Sequence, residues 1–303
     1  MKILVTGATG LVGTALVEAL GREGHMVCRL LRAGSKKREG AERGFDVEWN
    51  PETGELGGAG VGPDAVVNLA GAPIADGRWT EERKKLLHSS RIDTTRALVK
   101  ILAEMNARPR VLVSASACGI YGDRGDELLS EESKPGRDFL SELALEWEAE
   151  AVKAEALGIR VVLPRFGIIL AREGGALPQM MKPFRVGLGG KLGNGQQWMS
   201  WVALEDVIGI LRMAIESSSL RGAVNVVAPE PVRNVEFTKI LARAIDRPAI
   251  FTAPAFALRL ALGEMADALL GSQRVTPHRA EQNGYQFRYS QLEPALAEIL
   301  KAQ

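Results

Sequence analysis

Lys2-Ile3-Leu4-Val5-Thr6-Gly7-Ala8-Thr9-Gly10-Leu11-Val12-Gly13 is the stretch that decides the fold of this chain. Ile3-Leu4-Val5 is a short apolar run, as a buried strand makes. It breaks into Gly7, Gly10 and Gly13, and an apolar stripe at Val12, Ala15, Leu16, Ala19 and Leu20 then follows helical spacing. The order is strand, glycine turn, helix. Glycines let the backbone turn tightly and approach a pyrophosphate, and the free amides and dipole of the helix start favour its charge. Gly7, Thr9, Gly10, Leu11, Val12 and Gly13 are therefore candidate dinucleotide contacts, although the spacing G-x-x-G-x-x-G differs from the dehydrogenase G-x-G-x-x-G.

Further strands are predicted at 26–31, 47–49, 65–70, 111–114 and 159–163, with helices at about 80–106 and 138–157 between them. Continuous β-branched runs alternating with helices predict an α/β fold, a doubly wound parallel sheet of the Rossmann kind. From Pro164 the texture turns Gly- and Pro-rich, then gives helical patterns near 204–217, 234–245, 255–270 and 291–301 and a strand at 224–227. The expected division is a nucleotide-binding domain over 1–165, rejoined by 204–228, with a substrate lobe from 166–203 and 229–303.

The bulk properties of the 303 residues exclude several classes. A net charge of +1 gives no field to draw nucleic acid or an anionic membrane. Cys28 and Cys118 sit in apolar segments and form no disulfide framework, and His25, His88 and His278 show no metal-ligand spacing. No apolar run reaches the roughly 20 residues of a membrane helix, and the first residues form a core strand rather than a signal. A cytoplasmic location is the expectation.

The second strand bears on the cofactor. NAD-binding folds end it with a carboxylate for the ribose 2′-hydroxyl. Here it ends Leu30-Leu31-Arg32, with Ser35, Lys36, Lys37 and Arg38 beyond. A guanidinium suits a 2′-phosphate, so NADP(H) is expected over NAD(H), with Arg32 as the reader.

Thr6–Gly13, Asn68-Leu69-Ala70-Gly71 and Ser114–Asp123 together resemble the extended short-chain dehydrogenase/reductase superfamily. Asn68–Ile74, Arg78-Trp79, Ser90-Arg91, Gly174-Gly175, Pro183–Gly190, Trp201, Ala228-Pro229, Gly271–Val275 and Gly284–Phe287 narrow it. They resemble a branch of epimerase/dehydratase-like proteins with a C-terminal domain of unknown function. The resemblance implies NADP contacts at the Gly7–Gly13 loop, Arg32, Leu69, Ala70, Gly71, Arg91 and Ile169, and by analogy a homodimer. It also implies hydride transfer on a small hydroxyl or carbonyl substrate, a sugar nucleotide being one candidate.

The superfamily's catalytic pair is missing. Its members use Tyr as acid/base with Lys four residues later, on one helix face, lowering the Tyr pKa. Tyr121, Tyr285 and Tyr289 are followed at that spacing by Gly125, Tyr289 and Glu293. Along 139–148 the alignment places Glu142 and Glu146 at the two sites. The substrate-orienting serine falls on Ser116, with Ser114 as the alternate, and Tyr121 is the candidate acid. A second reading is a non-catalytic protein that senses the NADP(H) ratio or docks a partner.

Overall fold

The computed structural model describes residues 1–32, 34, 44–53, 55–57 and 62–301. Its centre is a nine-stranded sheet. The order is Gly222–Val226, Arg160–Phe166, Val111–Ser114, Ala65–Asn68, Lys2–Thr6, Met26–Leu31, Gly44–Asn50, Glu55–Leu56, with Ser116–Ala117 also pairing to Arg160–Phe166. Every neighbouring pair is parallel except Gly44–Asn50 with Glu55–Leu56 at the edge.

Alternate residues of each strand point to opposite faces, so one apolar run feeds two cores. Ile3, Val5, Val67 and Val113 pack with Leu16, Leu20, Ile210 and Leu211 on one face. Leu4, Val66, Leu112 and Val161 pack with Leu98, Leu102 and Ala151 on the other. Burial on both faces is why these strands read as continuous hydrophobic stretches. Helices cover both faces, as a Rossmann fold requires.

The helix Leu204–Glu216 packs on the first helix, Leu11–Arg22, and the strand Gly222–Val226 closes the sheet edge. The lobe has its own core of Leu177, Met181, Phe184, Trp201, Phe237 and Leu296 among others. Its tail does not stay there: Ala280, Tyr285 and Phe287 pack back onto the main sheet's core. Asp206 holds that return, its buried carboxylate accepting from the Tyr285 hydroxyl (3.0 Å) and from the amides of Arg288 (2.8 Å) and Tyr289 (3.1 Å). Asp206 lies in the first turn of the helix Leu204–Glu216, which has no side-chain cap, and its carboxylate acts as a latch.

Three predicted helices are broken. The span 80–106 divides into Glu81–Ser89 and Ile92–Glu104, with Leu86 46% exposed rather than inward. The span 138–157 is α-helical over Phe139–Val152 and tightens to a 3₁₀ turn over Lys153–Leu157. The span 255–270 breaks at Gly263, whose φ of 63° favours glycine. Among the described residues no helix is long and apolar enough to cross a membrane.

Candidate cofactor-binding site

The carboxyl ends of three adjacent strands are tied by one buried polar network. Thr6 donates to Asn68 Oδ1 at 2.7 Å, and Asn68 Nδ2 donates to Thr95 (2.9 Å) and Ser114 (3.1 Å). The Leu69 amide in turn donates to the Thr6 hydroxyl. These bonds fix where Leu69, Ala70 and Gly71 leave the sheet.

The glycine loop fits against that exit. Gly7 has φ 63°, and a Cβ there would meet the Leu69 carbonyl oxygen at 2.4 Å. A Cβ at Gly13 would lie 2.2 Å from the Gly7 oxygen, so this glycine allows the first helix to sit close to its strand. Gly10 differs: its Cβ position meets only the Gly7 oxygen, at 3.4 Å, and it faces outward. It is the N-cap of the first helix, with no capping side chain and no acidic residue in the first turn. Thr9 is exposed and Leu11 and Val12 half-buried, so the first helical amides stand open to a ligand. The residues present fit a dinucleotide diphosphate: Gly7 and Gly13 let the loop close against the strand and helix, and the bare Gly10 leaves a cradle that a side chain there would fill.

Arg32 is placed beside that loop by strand register. Thr6 pairs with Leu30, so Arg32 stands level with Ala8 and is exposed. Ser35, Lys36, Lys37 and Arg38 lie outside the described residues. On the other flank Ile169, half-buried in Ile168–Leu170, leads into Gly174-Gly175. The Cβ position of Gly175 lies 2.9 Å from the Leu11 side chain, which brings this segment over the helix start.

Arg91, an expected cofactor contact, is buried. It sits at the break between two helices, buried, donating to the carbonyls of Leu87 (3.1 Å) and Ala72 (2.9 Å) and lying over the Trp147 ring. A Cβ on Gly71 would be 3.2 Å from its Cζ. Burial, with Arg83 nearby, lowers its pKa to about 10. Its place is beneath the Gly71-Ala72 turn, propping it.

At the nicotinamide end the structure revises the expected chemistry. Ser116 is buried and donates to Glu148 at 2.6 Å. The same carboxylate is bridged by Arg165 through both nitrogens, at 2.8 and 2.9 Å. Arg165 also donates to the Tyr121 hydroxyl (2.9 Å), which donates to Asn225 (2.7 Å). Tyr121 is 0% exposed, and burial pushes its phenol well above the usual range. Ser114, the alternate, accepts from Asn68.

Glu142 and Glu146 are exposed, and Glu146 pairs with His88 at 2.8 Å. The face turned to the Ser116–Tyr121 segment carries Leu140, which meets Gly119, Ala144, which packs with Cys118, Ile120 and Tyr121, and Glu148. Leu140 and Ala144 have the i, i+4 spacing and are both apolar. Glu148 went unnoticed in the sequence; a signal for its burial was Arg165, a cation inside the strand Arg160–Phe166. Trp201, Met181, Phe184 and Met199 are buried in one core, and Trp198 is half-buried between Arg233 and Arg274.

Among the described residues the one cluster of metal-ligand side chains is Glu23, His25 and Glu216. It lies at the far end of the first helix, where Arg212 already pairs with Glu23 at 2.9 Å.

A parallel doubly wound sheet with an open glycine turn at its first strand defines an NAD(P)-binding protein of the extended short-chain dehydrogenase/reductase fold. Residues 3–227 match the model of the NAD dependent epimerase/dehydratase family, and the chain belongs to that family. Residues 253–299 match a domain of unknown function, DUF1731. The epimerase family protein YfhF of Bacillus subtilis is 40% identical over 309 residues, covering 99% of this chain and 98% of its own. The chloroplastic SDR39U1 homolog of Arabidopsis thaliana is 40% identical, covering 99% and 87%. The crystal structure of human epimerase family protein SDR39U1 with NADPH superposes with a TM-score of 0.88 at 34% identity, covering 99% of both chains.

Proposed function

We propose that this protein binds NADP(H) and that a hydride transfer with a small hydroxyl- or carbonyl-bearing molecule takes place at its nicotinamide end. One observation carries the cofactor reading: the uncapped helix start, the Leu69–Gly71 turn and Arg32 converge on one strand-end cleft. The NADPH in the human relative supports the phosphorylated coenzyme. Bound NADPH would supply the hydride. The chain's own part is to cradle the diphosphate, read the 2′-phosphate and seat the second molecule. We infer that Ser116 and Tyr121 hold the network around Glu148 and Arg165 rather than touching substrate, because both hydroxyls are buried and committed. The proton of a reduced carbonyl then comes from water.

Leu140 and Ala144 at the acid/base spacing favour a second reading, a protein that senses the NADP(H) ratio without turnover. Absorbance at the nicotinamide band separates the two. Loss of NADPH with any member of a carbonyl and sugar-nucleotide panel supports the oxidoreductase, and tight binding with no turnover supports the sensor. In either case Tyr121→Phe changes stability and leaves the nicotinamide chemistry as it was.

A further inference from the structure

We propose that the part of the second ligand lying beside the nicotinamide is apolar, an alkyl or aromatic carbonyl compound rather than a sugar. This deepens the reading above and rests on it.

In an open α/β sheet the ligand lies outside the carboxyl ends of the strands, across the point where strand order reverses. Here that point is between Lys2–Thr6 and Ala65–Asn68, so the nicotinamide half lies over the ends of Ala65–Asn68 and Val111–Ser114. The side chains gathered there form one apolar group. Trp79 and Ala115 are buried in it, and Ile74, Phe139, Leu140, Phe166 and Leu262 pack against it half-buried. They come from the loop after Ala65–Asn68, the residue after Val111–Ser114, the helix Phe139–Val152, the end of Arg160–Phe166 and the helix Ala255–Leu262. Half-buried apolar groups from both the sheet and the lobe leave a partly exposed greasy wall, which a ligand of like character would cover.

Most of the polar groups around this wall are committed, Arg83 Nε being buried without a partner. Trp79 Nε1 donates to the Ile74 carbonyl, Trp147 Nε1 to Thr95, Ser116 to Glu148, and Ser141 to Gly119 and Asp138. Lys84 is held by Glu264 at 2.5 Å while lying over the Phe139 ring. Arg91 is spent on backbone carbonyls, and Arg78 stands exposed at the rim by Gly263. A hexose seated here would strip water from several hydroxyls and find few partners, at roughly 1–3 kcal/mol for each unpaired group. An apolar ring or chain meets no such cost.

The test is saturation-transfer difference NMR on the NADP⁺-loaded protein with acetophenone, 2-heptanone and UDP-glucose. The expected result is saturation of the ketone protons and none of the glucosyl protons. Phe139→Asp and Leu262→Asp, on different helices of the apolar group, should each cut the ketone signal at least fivefold while the NADP⁺ signal persists. Saturation of the glucosyl protons, no saturation of either ketone, or ketone signals unmoved by both substitutions overturns the proposal. A missing NADP⁺ signal in the unaltered protein instead refutes the cofactor reading on which it stands.

Discussion

Arg32 and Glu148 show how far single residues could be read. Arg32 could be proposed as the reader because a strand end is a fixed address: in this fold the end of the second strand is where a dinucleotide's adenosine ribose is bound. Arg32→Ala should weaken NADPH by roughly 1.5–3 kcal/mol, about 10- to 150-fold, and leave NADH nearly unchanged in a fluorescence titration. Equal losses for both coenzymes would remove Arg32 as the phosphate reader. Glu148 was not legible, because a helical glutamate among Glu142, Glu146 and Glu150 looks solvated until its partner is known. That partner, Arg165, lies across the fold on a sheet strand. Glu148→Ala leaves a buried guanidinium unpaired and should cost about 3–5 kcal/mol in denaturant unfolding. A loss below 1 kcal/mol would mean that the network is solvated in solution.

At the scale of elements, period and punctuation predicted the strands of the main parallel sheet and most helices, while the short strands and the helices Ala176–Arg185 and His278–Gln282 went unread. Apolar periodicity continues through a kink, so it could not show the break between Glu81–Ser89 and Ile92–Glu104 where Arg91 turns under Gly71. Nor could it show that the tail over 280–287 leaves the lobe, since a latch between Asp206 and the amides of Arg288 and Tyr289 has no local pattern. Asp206→Ala orphans those amides and the Tyr285 hydroxyl, and should destabilise by roughly 2–4 kcal/mol. Faster hydrogen exchange over 280–290 with the sheet protected would locate the loss in the latch; uniform exchange across the chain would contradict it.

The molecule as a whole joins an openly readable glycine-turn cradle to a segment, Ser116–Tyr121, against which the helix Phe139–Val152 packs Leu140 and Ala144. The cradle could be read because its glycines answer local sterics; the other end was obscured because its residues are chosen by what packs across the cleft. Both cysteines test the solidity of the double-faced core. Burial pushes Cys28 up to about 12 and Cys118 higher still, so neither thiolate forms at pH 8 in the folded protein. A disulfide-exchange reagent should titrate neither thiol before denaturation and both after it; prompt native reaction would show that the sheet opens readily. The most direct measurement is calorimetry of nucleotide-free protein titrated with NADPH and then with NADH. Heat with one-to-one stoichiometry is expected for NADPH, with markedly weaker binding of NADH and loss of both in Gly7→Ala. No heat with either coenzyme would contradict the cradle itself.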